Sequence, residues 1–489
     1  MSMAAVRDLL LAASVASVAV ASGSDSLNSC LRQALTKSGS VAFPGDLFYQ
    51  QADVNRYNLN IPVNPAGVTF PTSSQQVAAV VKCAADNGYP VQAKSGGHSY
   101  GNYGLGGTDG AVVVDLKHFQ HFSMDSTTWT ATIGSGTLLG DVTQRLHEAG
   151  GRAMSHGTCP QVGSGGHFTI GGLGPTSRQF GAALDHIVEA EVVLANSSIV
   201  TASDTQNQDV FFAIKGAASG FGIVTEFKVR TEPEPGTAVK YEYTLKPGST
   251  RGRASLFKQW QAYVSNPSLT RKLASTLTVL EDSMIITGTF FGTEEEYNAL
   301  DIGSQWPGVN GSAIVFQDWL GLVGNWAEEA VLQLGGGVPS KFYSKSTAWT
   351  PGNLMDSNTI DKMFEYIDSA DKGTLAWFIL FDFQGGYTND IPTDATGYAH
   401  RDVLIWLQSY SINLLGSVTQ TQINFLDEVN TLVTNDGAPY AAYPGYVDPL
   451  MTNGPEAYWG SNLLRLQQIK EEIDPENVFR NPQSPSPAN

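Results

Sequence analysis

Two glycine-rich segments of the chain have the composition of a binding site for a phosphorylated ligand. The first is Lys94-Ser-Gly-Gly-His-Ser-Tyr-Gly, which follows the extended stretch Tyr89-Pro-Val-Gln-Ala, and the second is Gly163-Ser-Gly-Gly-His-Phe-Thr-Ile-Gly-Gly-Leu-Gly. Because glycine lets the backbone approach a phosphate closely, successive N–H groups of such a segment can point at one anion. Neither segment continues into the Gly-Lys-Ser/Thr sequence of a P-loop. Tight turns in a loop-rich sheet remain the alternative interpretation.

A serine nucleophile is a second chemistry that the first segment could support. Gly97-His-Ser-Tyr-Gly matches Gly-x-Ser-x-Gly, and its Ser99 would be the nucleophile of an α/β-hydrolase. That motif requires a buried apolar strand before it and a helix after it. Here Gln92-Ala-Lys-Ser-Gly precedes the motif and further glycines follow it, so a hydrolase is the minor alternative.

The cysteines and histidines do not form a metal-binding pattern. The chain has 8 histidines and 3 cysteines, but neither His-Glu-x-x-His nor Cys-x-x-Cys occurs, so we expect no metal. In an oxidising compartment two of the cysteines would pair, and a bond between Cys30 and Cys83 would hold the N-terminus onto the first domain. Cys159, in Gly157-Thr-Cys-Pro, is then left over. Composition alone favours an inert buried thiol for it.

Composition and charge limit the possible partners. The 489 residues include 42% apolar and 15% charged residues, which indicates two folded domains without long disordered tracts. The net charge is −18 and no cluster of Lys or Arg offsets it, so nucleic acid is excluded as a partner. A small-molecule substrate fits better, and we expect a monomer.

The N-terminal segment has the layout of a secretory signal peptide. Arg7 precedes an apolar run that ends in Ala19-Val-Ala, which predicts a signal peptide over residues 1–21 and a secreted protein. An amphipathic first helix is the alternative. The run is too short to span a bilayer, and no other segment looks membrane-spanning. The sequons at Asn196 and Asn310 agree with secretion and are candidate glycosylation sites.

The order of predicted elements indicates an α+β fold with two domains. Residues 60–235 alternate short strands with helices, whereas residues 237–440 read as an antiparallel sheet flanked by helices. Thr231-Glu-Pro-Glu-Pro-Gly marks the boundary between them. One helix is predicted near the C-terminus, over Ala457-Tyr-Trp-Gly-Ser-Asn-Leu-Leu-Arg-Leu-Gln-Gln-Ile-Lys.

Several motifs together resemble the berberine-bridge-enzyme-like branch of the vanillyl-alcohol-oxidase superfamily of flavoproteins. They are Lys94-Ser-Gly-Gly-His-Ser-Tyr, Gly157-Thr-Cys-Pro, Gly165-Gly-His, Tyr458-Trp-Gly-Ser-Asn-Leu-Leu-Arg-Leu and Asp474-Pro-Glu-Asn-Val-Phe-Arg-Asn-Pro-Gln. The similarity covers roughly residues 25–485 in the family's order. It implies a PCMH-type FAD-binding domain over 25–235, a substrate domain over 236–440, and a C-terminal segment over 441–489 that returns to the FAD domain. Fungal oligosaccharide oxidases and tailoring oxidases of secondary metabolism look most similar.

The resemblance also implies how FAD is held. His98 would bond the flavin 8α-methyl group and Cys159 would bond C6, while residues 94–98 would cradle the pyrophosphate. Glycines of the second segment would line the isoalloxazine and ribityl side. The implied cofactor-binding residues are His98, Cys159, Lys94, Ser95, Gly96, Gly97, Ser99, Gly165, Gly166, His167, Gly171, Gly172 and Ile223.

The same resemblance also implies which residues act on the substrate. In Tyr443-Pro-Gly-Tyr, Tyr446 would be the base that removes a hydroxyl proton while hydride passes to flavin N5. Asp382 would orient Tyr446 or relay its proton, because an anion beside a phenol cannot lower the pKa of that phenol. The remaining candidate substrate contacts are Tyr100, Gln408, Tyr443 and Leu380. Ordinary sheet packing is the alternative for Tyr100 and Gln408.

Two positions depart from the oligosaccharide oxidases. Those enzymes carry a glutamine two residues before the carboxylate and a nearby tryptophan, where this chain has Leu380 and Phe378. Losing a polar donor and an indole weakens the case for a sugar substrate. We therefore predict an FAD-linked oxidase that tailors a secondary metabolite and reduces O2 to hydrogen peroxide. The alternatives are an oligosaccharide oxidase that makes a lactone, the Ser99 hydrolase, and a flavin-retaining binding protein without activity.

Overall fold

The computed structural model describes residues 25–35, 40–306, 309, 311–334, 337–434 and 441–488. The predicted signal peptide and the sequon at Asn310 lie outside the described residues. The predicted α+β fold class is confirmed, because the described chain combines three larger sheets with helices that cover them. The strands of two sheets lie before residue 235 and those of the third lie after it, which supports our proposal of a domain boundary there.

The first part of the chain contains a four-stranded and a five-stranded sheet. The first is mostly parallel, in the order Ser40–Ala42, Gly67–Phe70, Val112–Asp115 and Val91–Lys94. The second is antiparallel, in the order Phe122–Asp125, Thr130–Gly134, Ile223–Arg230, Ile187–Val193 and Ile199–Ser203. Helix Ser74–Asp86 packs Val77, Val80 and Val81 against the four-stranded sheet. Helices Leu139–Glu148 and Gln208–Ala217 bury their apolar faces in the core of the five-stranded sheet.

The third sheet, called the large sheet below, has seven antiparallel strands. Their order is Gly311–Phe316, Ala238–Leu245, Met284–Phe290, Leu273–Val279, Trp377–Phe383, Ile405–Ile412 and Phe342–Trp349. Helices Thr250–Val264, Ser357–Ser369 and Gln420–Val433 pack on one face in a shared core. Side chains along a strand point alternately to the two faces of the sheet, so neighbouring residues of one strand have different surroundings. Ile379 and Phe381 point to the helices, whereas Leu380 and Asp382 line a cavity on the other face.

The remaining elements connect these layers. They are the helices at 25–34, Ser164–His167, Ser177–Phe180, Glu294–Ala299, Trp319–Leu334, Tyr387–Asp390, Gly454–Trp459 and Leu463–Ile473, the π-helix Tyr49–Val54, the 3-10 helices Tyr103–Leu105, Ala183–His186, Ala218–Gly220, Ile302–Gln305, Pro444–Tyr446 and Gly460–Asn462, and the paired short strands Arg152–Ala153 and Glu232–Pro233. No helix in the described ranges combines the length and apolar character needed to span a bilayer.

The prediction of a single helix over residues 457–470 is wrong, because the helix is interrupted at Gly460. Gly460 adopts φ 45° and ψ −124°, outside the helical region, so helix Gly454–Trp459 ends, and helix Leu463–Ile473 begins only after the 3-10 helix Gly460–Asn462. The second helix places Lys470 in the core, where its Nζ donates to the carbonyl of Gly220 and pairs with Asp474 at 2.6 Å. The C-terminal segment is thereby bound to the first part of the chain.

The predicted disulfide is confirmed. Cys30 and Cys83 are bonded, with their Cα atoms 5.7 Å apart. The bond joins the helix at 25–34 to helix Ser74–Asp86, and both helices contribute to the same core. Cys159 is a free thiol.

Candidate active site

A cavity of about 510 Å³ runs between the two glycine-rich segments and the open face of the large sheet. It is lined by most residues that the sequence predicts for cofactor and substrate: Lys94, Ser95, Gly96, Gly97, His98, Ser99, Tyr100, Cys159, Gly165, Gly166, His167, Leu380, Asp382, Gln408, Tyr443 and Tyr446. Lys94 and Tyr446 are 352 positions apart in the sequence, and both line this one cavity. Among the described residues, no cluster of His, Cys, Asp or Glu could hold a metal ion.

The first glycine segment forms a cradle of free backbone donors. In the described chain, the N–H groups of residues 95–99 donate to no backbone carbonyl. A Cβ at Gly96 would lie 2.4 Å from the backbone nitrogen of Gly163, so only glycine allows the two segments to pass this closely. The Ser95 hydroxyl donates to the carbonyl of Ser135 at 2.6 Å and holds the loop in place. Such a row of donors fits the phosphates of FAD.

Lys94 and Ser99 lie at the two ends of this cradle, and both bond to neighbouring parts of the protein. Lys94 is buried and forms an ion pair with Asp115 at 3.2 Å, so its charge is largely satisfied within the protein. The Ser99 hydroxyl accepts a hydrogen bond at 3.0 Å from the N–H of Tyr103, the first residue of the following 3-10 helix. Ser99 also follows a loop rather than a strand, because the preceding strand ends at Lys94. The structure thus gives no support to Ser99 as a hydrolase nucleophile.

One side-chain oxygen in the cavity, Oε1 of Gln92, accepts no hydrogen bond from the described residues. Gln92 lines the cavity, and its Nε2 donates to the carbonyl of Ser219 at 2.9 Å. Its Oε1 is buried, and no donor among the described residues reaches it. A buried acceptor without a donor is costly, so this oxygen fits a site that is completed by a polar ligand.

His98 lies at the end of the cradle, against an aromatic ring. The Tyr57 ring stacks on the His98 imidazole with centroids 4.5 Å apart and an interplanar angle of 29°. Burial lowers the pKa of His98 to about 4, because the charged imidazolium would lose hydration. His98 is therefore neutral at physiological pH, with an unprotonated ring nitrogen available for bonding.

Cys159 lies in the same cavity on a segment that His167 orients. The Nε2 atom of His167 accepts a hydrogen bond from the Gly157 N–H at 2.9 Å, which holds the segment before the cysteine. Burial lowers the pKa of His167 to about 3, so this histidine stays a neutral acceptor. The Cys159 thiol is half-buried, and burial raises its pKa. It lies close enough to Tyr57 and Tyr446 to affect the pKa values of both phenols.

The second glycine segment requires glycine for its conformation. Gly171 and Gly172 have φ values of 130° and 80°, which L-residues with side chains rarely adopt. A Cβ at Gly171 would lie 2.9 Å from the Tyr443 ring. The Tyr443 hydroxyl accepts a hydrogen bond from the Gly172 N–H at 2.8 Å. Tyr443 is thus placed to hold this segment, in addition to lining the cavity.

Three predicted cofactor residues, Gly171, Gly172 and Ile223, are not among the residues that line the cavity. The position of Ile223 has a clear cause. Its side chain is buried in the core beneath helix Ser74–Asp86, while its neighbours Gly222 and Val224 line the cavity. Only the backbone near Ile223 can face a ligand. Gly166, by contrast, has open space where a Cβ would stand, so its surface is available to a bound group.

Asp382 is a carboxylate on the cavity face of the large sheet, and its charge acts on Tyr446. The Thr276 hydroxyl donates to its Oδ1 at 2.8 Å from the neighbouring strand. Burial raises the pKa of Asp382 to about 6, and the hydrogen bond from Thr276 opposes part of this rise. At pH 7 the group is mainly a carboxylate, but it accepts a proton more readily than an exposed aspartate.

Tyr446 faces Asp382 and two further tyrosines. Its ring stacks on Tyr100 at 5.9 Å and contacts Tyr443 edge-on at 4.8 Å. Burial raises the pKa of Tyr446 well above its usual value, and the charge of Asp382 raises it further. The prediction that Asp382 does not lower the pKa of this phenol therefore agrees with the structure, and Tyr446 is protonated at neutral pH.

An aromatic wall closes the cavity on the far side of Tyr100. The Gln408 amide donates to the Tyr100 hydroxyl at 3.1 Å and to that of Tyr410, and the two hydroxyls also contact each other. The Tyr410 and Phe378 rings lie 4.6 Å apart, and Leu380 lies beside them on the same sheet face. The wall is therefore mainly apolar, with a few hydroxyl groups.

Sequence reasoning missed three residues of this site. Tyr57 lies outside every motif, and no local pattern places it on His98. Thr276 lies in strand Leu273–Val279, but the register that sets it opposite Asp382 depends on tertiary pairing. Tyr410 could have been found, because it follows Gln408 by two positions and therefore shares its sheet face.

Two family models match the chain. Residues 65–203 match an FAD binding domain and residues 442–485 match the berberine and berberine-like domain. The FAD-linked oxidoreductase sorD of Penicillium rubens is 40% identical, over 92% of this chain and 96% of that protein. The xylooligosaccharide oxidase of Thermothelomyces thermophilus is 33% identical, over 90% of each chain.

The solved structures that match have the same fold. Xylooligosaccharide oxidase from Myceliophthora thermophila in complex with xylobiose superposes with a TM-score of 0.88 at 31% identity, covering 95% of this chain and 100% of that one. Glucooligosaccharide oxidase from Acremonium strictum, described with a 6-S-cysteinyl, 8α-N1-histidyl FAD, gives a TM-score of 0.86 at 31% identity, covering 95% of this chain and 99% of that one.

Proposed function

Since the chain belongs to the berberine-like family of FAD-linked oxidoreductases, we propose that it carries FAD on His98 and Cys159 and oxidises a hydroxyl-bearing secondary metabolite. The observation that carries this proposal is the convergence of a neutral His98, a free Cys159 and the Tyr446–Asp382 pair on one cavity. When bound, the flavin supplies a two-electron acceptor for substrate hydride and passes the electrons to O2, giving hydrogen peroxide.

The protein's own residues bind and orient FAD in this proposal. The N–H groups of residues 95–99 would donate to its phosphates, and Gly165 and Gly166, which line the cavity, would lie against the ribityl chain and ring. Gly171 and Gly172 would shape the end of that segment against Tyr443. His98 and Cys159 would each form one bond to the ring. Two bonds hold a flavin even where the substrate side of the cavity is wide, which suits a bulky substrate.

Proton transfer from the substrate hydroxyl would involve Tyr446 and Asp382 together. Tyr446 is protonated at neutral pH, so it cannot begin the reaction as a phenolate. Asp382, with a pKa of about 6, can take up a proton at pH 7 at moderate cost. We infer a relay in which Tyr446 receives the hydroxyl proton and passes its own proton to Asp382. Thr276 fixes the carboxylate for this step.

The lining of the cavity favours a less polar substrate than a sugar. Leu380 and Phe378, which line the cavity, offer a sugar neither a polar donor nor an indole, and Tyr410 extends the same wall. The 40% identical relative sorD is named as an FAD-linked oxidoreductase, whereas the 33% identical relative is named as a xylooligosaccharide oxidase. Oxidation of an oligosaccharide to a lactone is the second candidate, because the matching structures include sugar oxidases.

We propose that the protein is secreted as a glycosylated monomer. The disulfide between Cys30 and Cys83 supports an oxidising compartment. Asn196 is exposed in the turn between two strands, and its side chain accepts a 2.6 Å hydrogen bond from the Ser198 hydroxyl of the same sequon. This position is accessible to a glycosyltransferase.

One substrate screen tests the proposed reaction. The purified yellow protein is mixed aerobically with aryl and allylic alcohols and, separately, with xylobiose, cellobiose and chitobiose, and peroxide is measured. Peroxide with the alcohols but not the sugars supports the proposal. Peroxide with sugars alone supports the second candidate, and a yellow protein that no compound reduces favours a binding protein.

A further inference from the structure

Tyr57 covers one face of the His98 imidazole. Its ring is nearly parallel to the imidazole at 4.5 Å, while Tyr100 and Phe342 lie 6.1 and 5.8 Å from the Tyr57 ring on other sides. Tyr100 and Phe342 therefore support the Tyr57 ring, and the Tyr57 ring limits the orientations open to the imidazole. His98 itself has no other ring neighbour among the described residues.

A pair of asparagines holds the Tyr57 segment against the His98 loop. The Asn58 N–H donates to Oδ1 of Asn102 at 3.2 Å, and Nδ2 of Asn102 donates back to the Asn58 carbonyl at 2.9 Å. Nδ2 of Asn58 also donates to the Tyr100 carbonyl at 2.9 Å. Both asparagines are at least 97% buried, so these bonds are protected from water.

Ser340 and the first residue of strand Phe342–Trp349 also support the same segment. The Ser340 N–H donates to the Tyr57 carbonyl at 3.1 Å, and the Leu59 N–H donates to the Ser340 carbonyl at 2.8 Å. Nδ2 of Asn58 reaches the Phe342 carbonyl at 3.2 Å. The backbone of Tyr57 is therefore held between two parts of the fold, and its ring has a defined position over His98.

We propose that Tyr57 is a positioning residue for flavin attachment, which holds the His98 imidazole in the orientation that forms the bond to the 8α-methyl carbon. This inference rests on the proposed attachment at His98 and Cys159. In the reaction, an imidazole nitrogen bonds the 8α carbon, that carbon loses one hydrogen, and the imidazole loses its N–H proton. The two electrons and two protons released reduce O2 to hydrogen peroxide.

The electrostatics of the pair agree with a role for the ring rather than for the hydroxyl. Burial keeps His98 neutral, so a nitrogen lone pair is available for bonding. Burial and the nearby Cys159 raise the pKa of Tyr57 to about 12, so its phenol is also neutral. The contact is thus an uncharged ring stack, and a phenylalanine ring should replace it.

The test isolates the His98 bond in a Cys159→Ala background. Purified protein is incubated with excess FAD, and flavin fluorescence that stays with the polypeptide on a denaturing gel is followed with time. Tyr57→Phe should attach flavin within about twofold of the parent rate, whereas Tyr57→Leu and Tyr57→Ala should be slower by roughly threefold to tenfold. Thermal unfolding confirms that each variant is folded.

A His98→Ala background supplies the control, because only the Cys159 bond can form there. In that background Tyr57→Ala should leave the attachment rate within about twofold of its parent. Equal loss in both backgrounds, or no loss in the Cys159→Ala background, would overturn the inference. If His98→Ala combined with Cys159→Ala still retains covalent flavin, the proposed attachment itself is wrong, which is a separate result.

Discussion

The hydroxyl of Thr276 donates a 2.8 Å hydrogen bond to Oδ1 of Asp382 across two paired strands of the large sheet. Asp382 is in turn close enough to Tyr446 to raise the pKa of that phenol. Thr276 therefore lowers the proton affinity of the carboxylate beside the proposed base. This arrangement makes the activity sensitive to pH near the pKa of Asp382.

Replacing Thr276 with valine should shift the pH profile. The hydrogen bond lowers the pKa of Asp382, so its loss should raise that pKa further above 6, by about one unit. Because the carboxylate is the form that accepts the proton, the acidic limb of kcat/KM should move to higher pH. Thr278→Val, on the same sheet face opposite Leu380, is the matched control and should leave the limb in place. Identical profiles for the two variants would contradict this role.

Asp382→Asn should stabilise the protein at neutral pH while impairing the reaction. The folded pKa of about 6 lies above the ordinary value of 3.8, so the folded state favours the protonated form. That preference contributes stability below pH 4 and is lost as the pH rises through 6, where the buried charge costs roughly 2–3 kcal/mol. Thermal unfolding should show a higher Tm for the variant at pH 8 and no difference at pH 4. A Tm gain of equal size at both pH values would rule out this origin.

Tyr446→Phe should slow flavin reduction without changing the colour of the protein. Removing a general acid–base group typically costs roughly 10²- to 10⁴-fold in rate. Stopped-flow absorbance with an alcohol identified in the screen measures the reductive step directly. Tyr410→Phe is the control on the aromatic wall, and its main effect should be on KM. Undiminished reduction by the Tyr446 variant would remove that residue from the proton relay.

Arg401→Leu should destabilise the fold by breaking a buried ion pair. Arg401 bonds both oxygens of Asp185 at 2.9 Å, and both side chains are at least 97% buried. Leaving Asp185 as an unpaired buried charge should cost about 3–5 kcal/mol of unfolding free energy. The exposed pair Arg271–Asp390 gives a control, since Arg271→Leu should cost less than about 1 kcal/mol. Chemical denaturation compares the two, and equal losses would contradict the distinction.

The part of the site that follows local sequence was predictable. Glycine segments identified the cradle, strand alternation in Trp377–Phe383 set Leu380 and Asp382 on one face, and cysteine count left Cys159 free. The contacts that depend on tertiary pairing were not predictable. The strand register that brings Thr276 to Asp382 and the path that lays Tyr57 on His98 join segments far apart in the chain. Prediction from local sequence failed at Gly460 as well. The helical pattern of the sequence continues across this residue, but its backbone is not helical.

The two bonds between protein and flavin are the central feature of the proposed function. The protein is precipitated with acid, the pellet is tested for flavin absorbance, and a proteolytic digest is analysed by mass spectrometry. We predict a yellow pellet and a flavin that links the peptide of His98 to the peptide of Cys159, reduced to one linkage in each single alanine variant. A colourless pellet with all flavin in the supernatant would contradict the account.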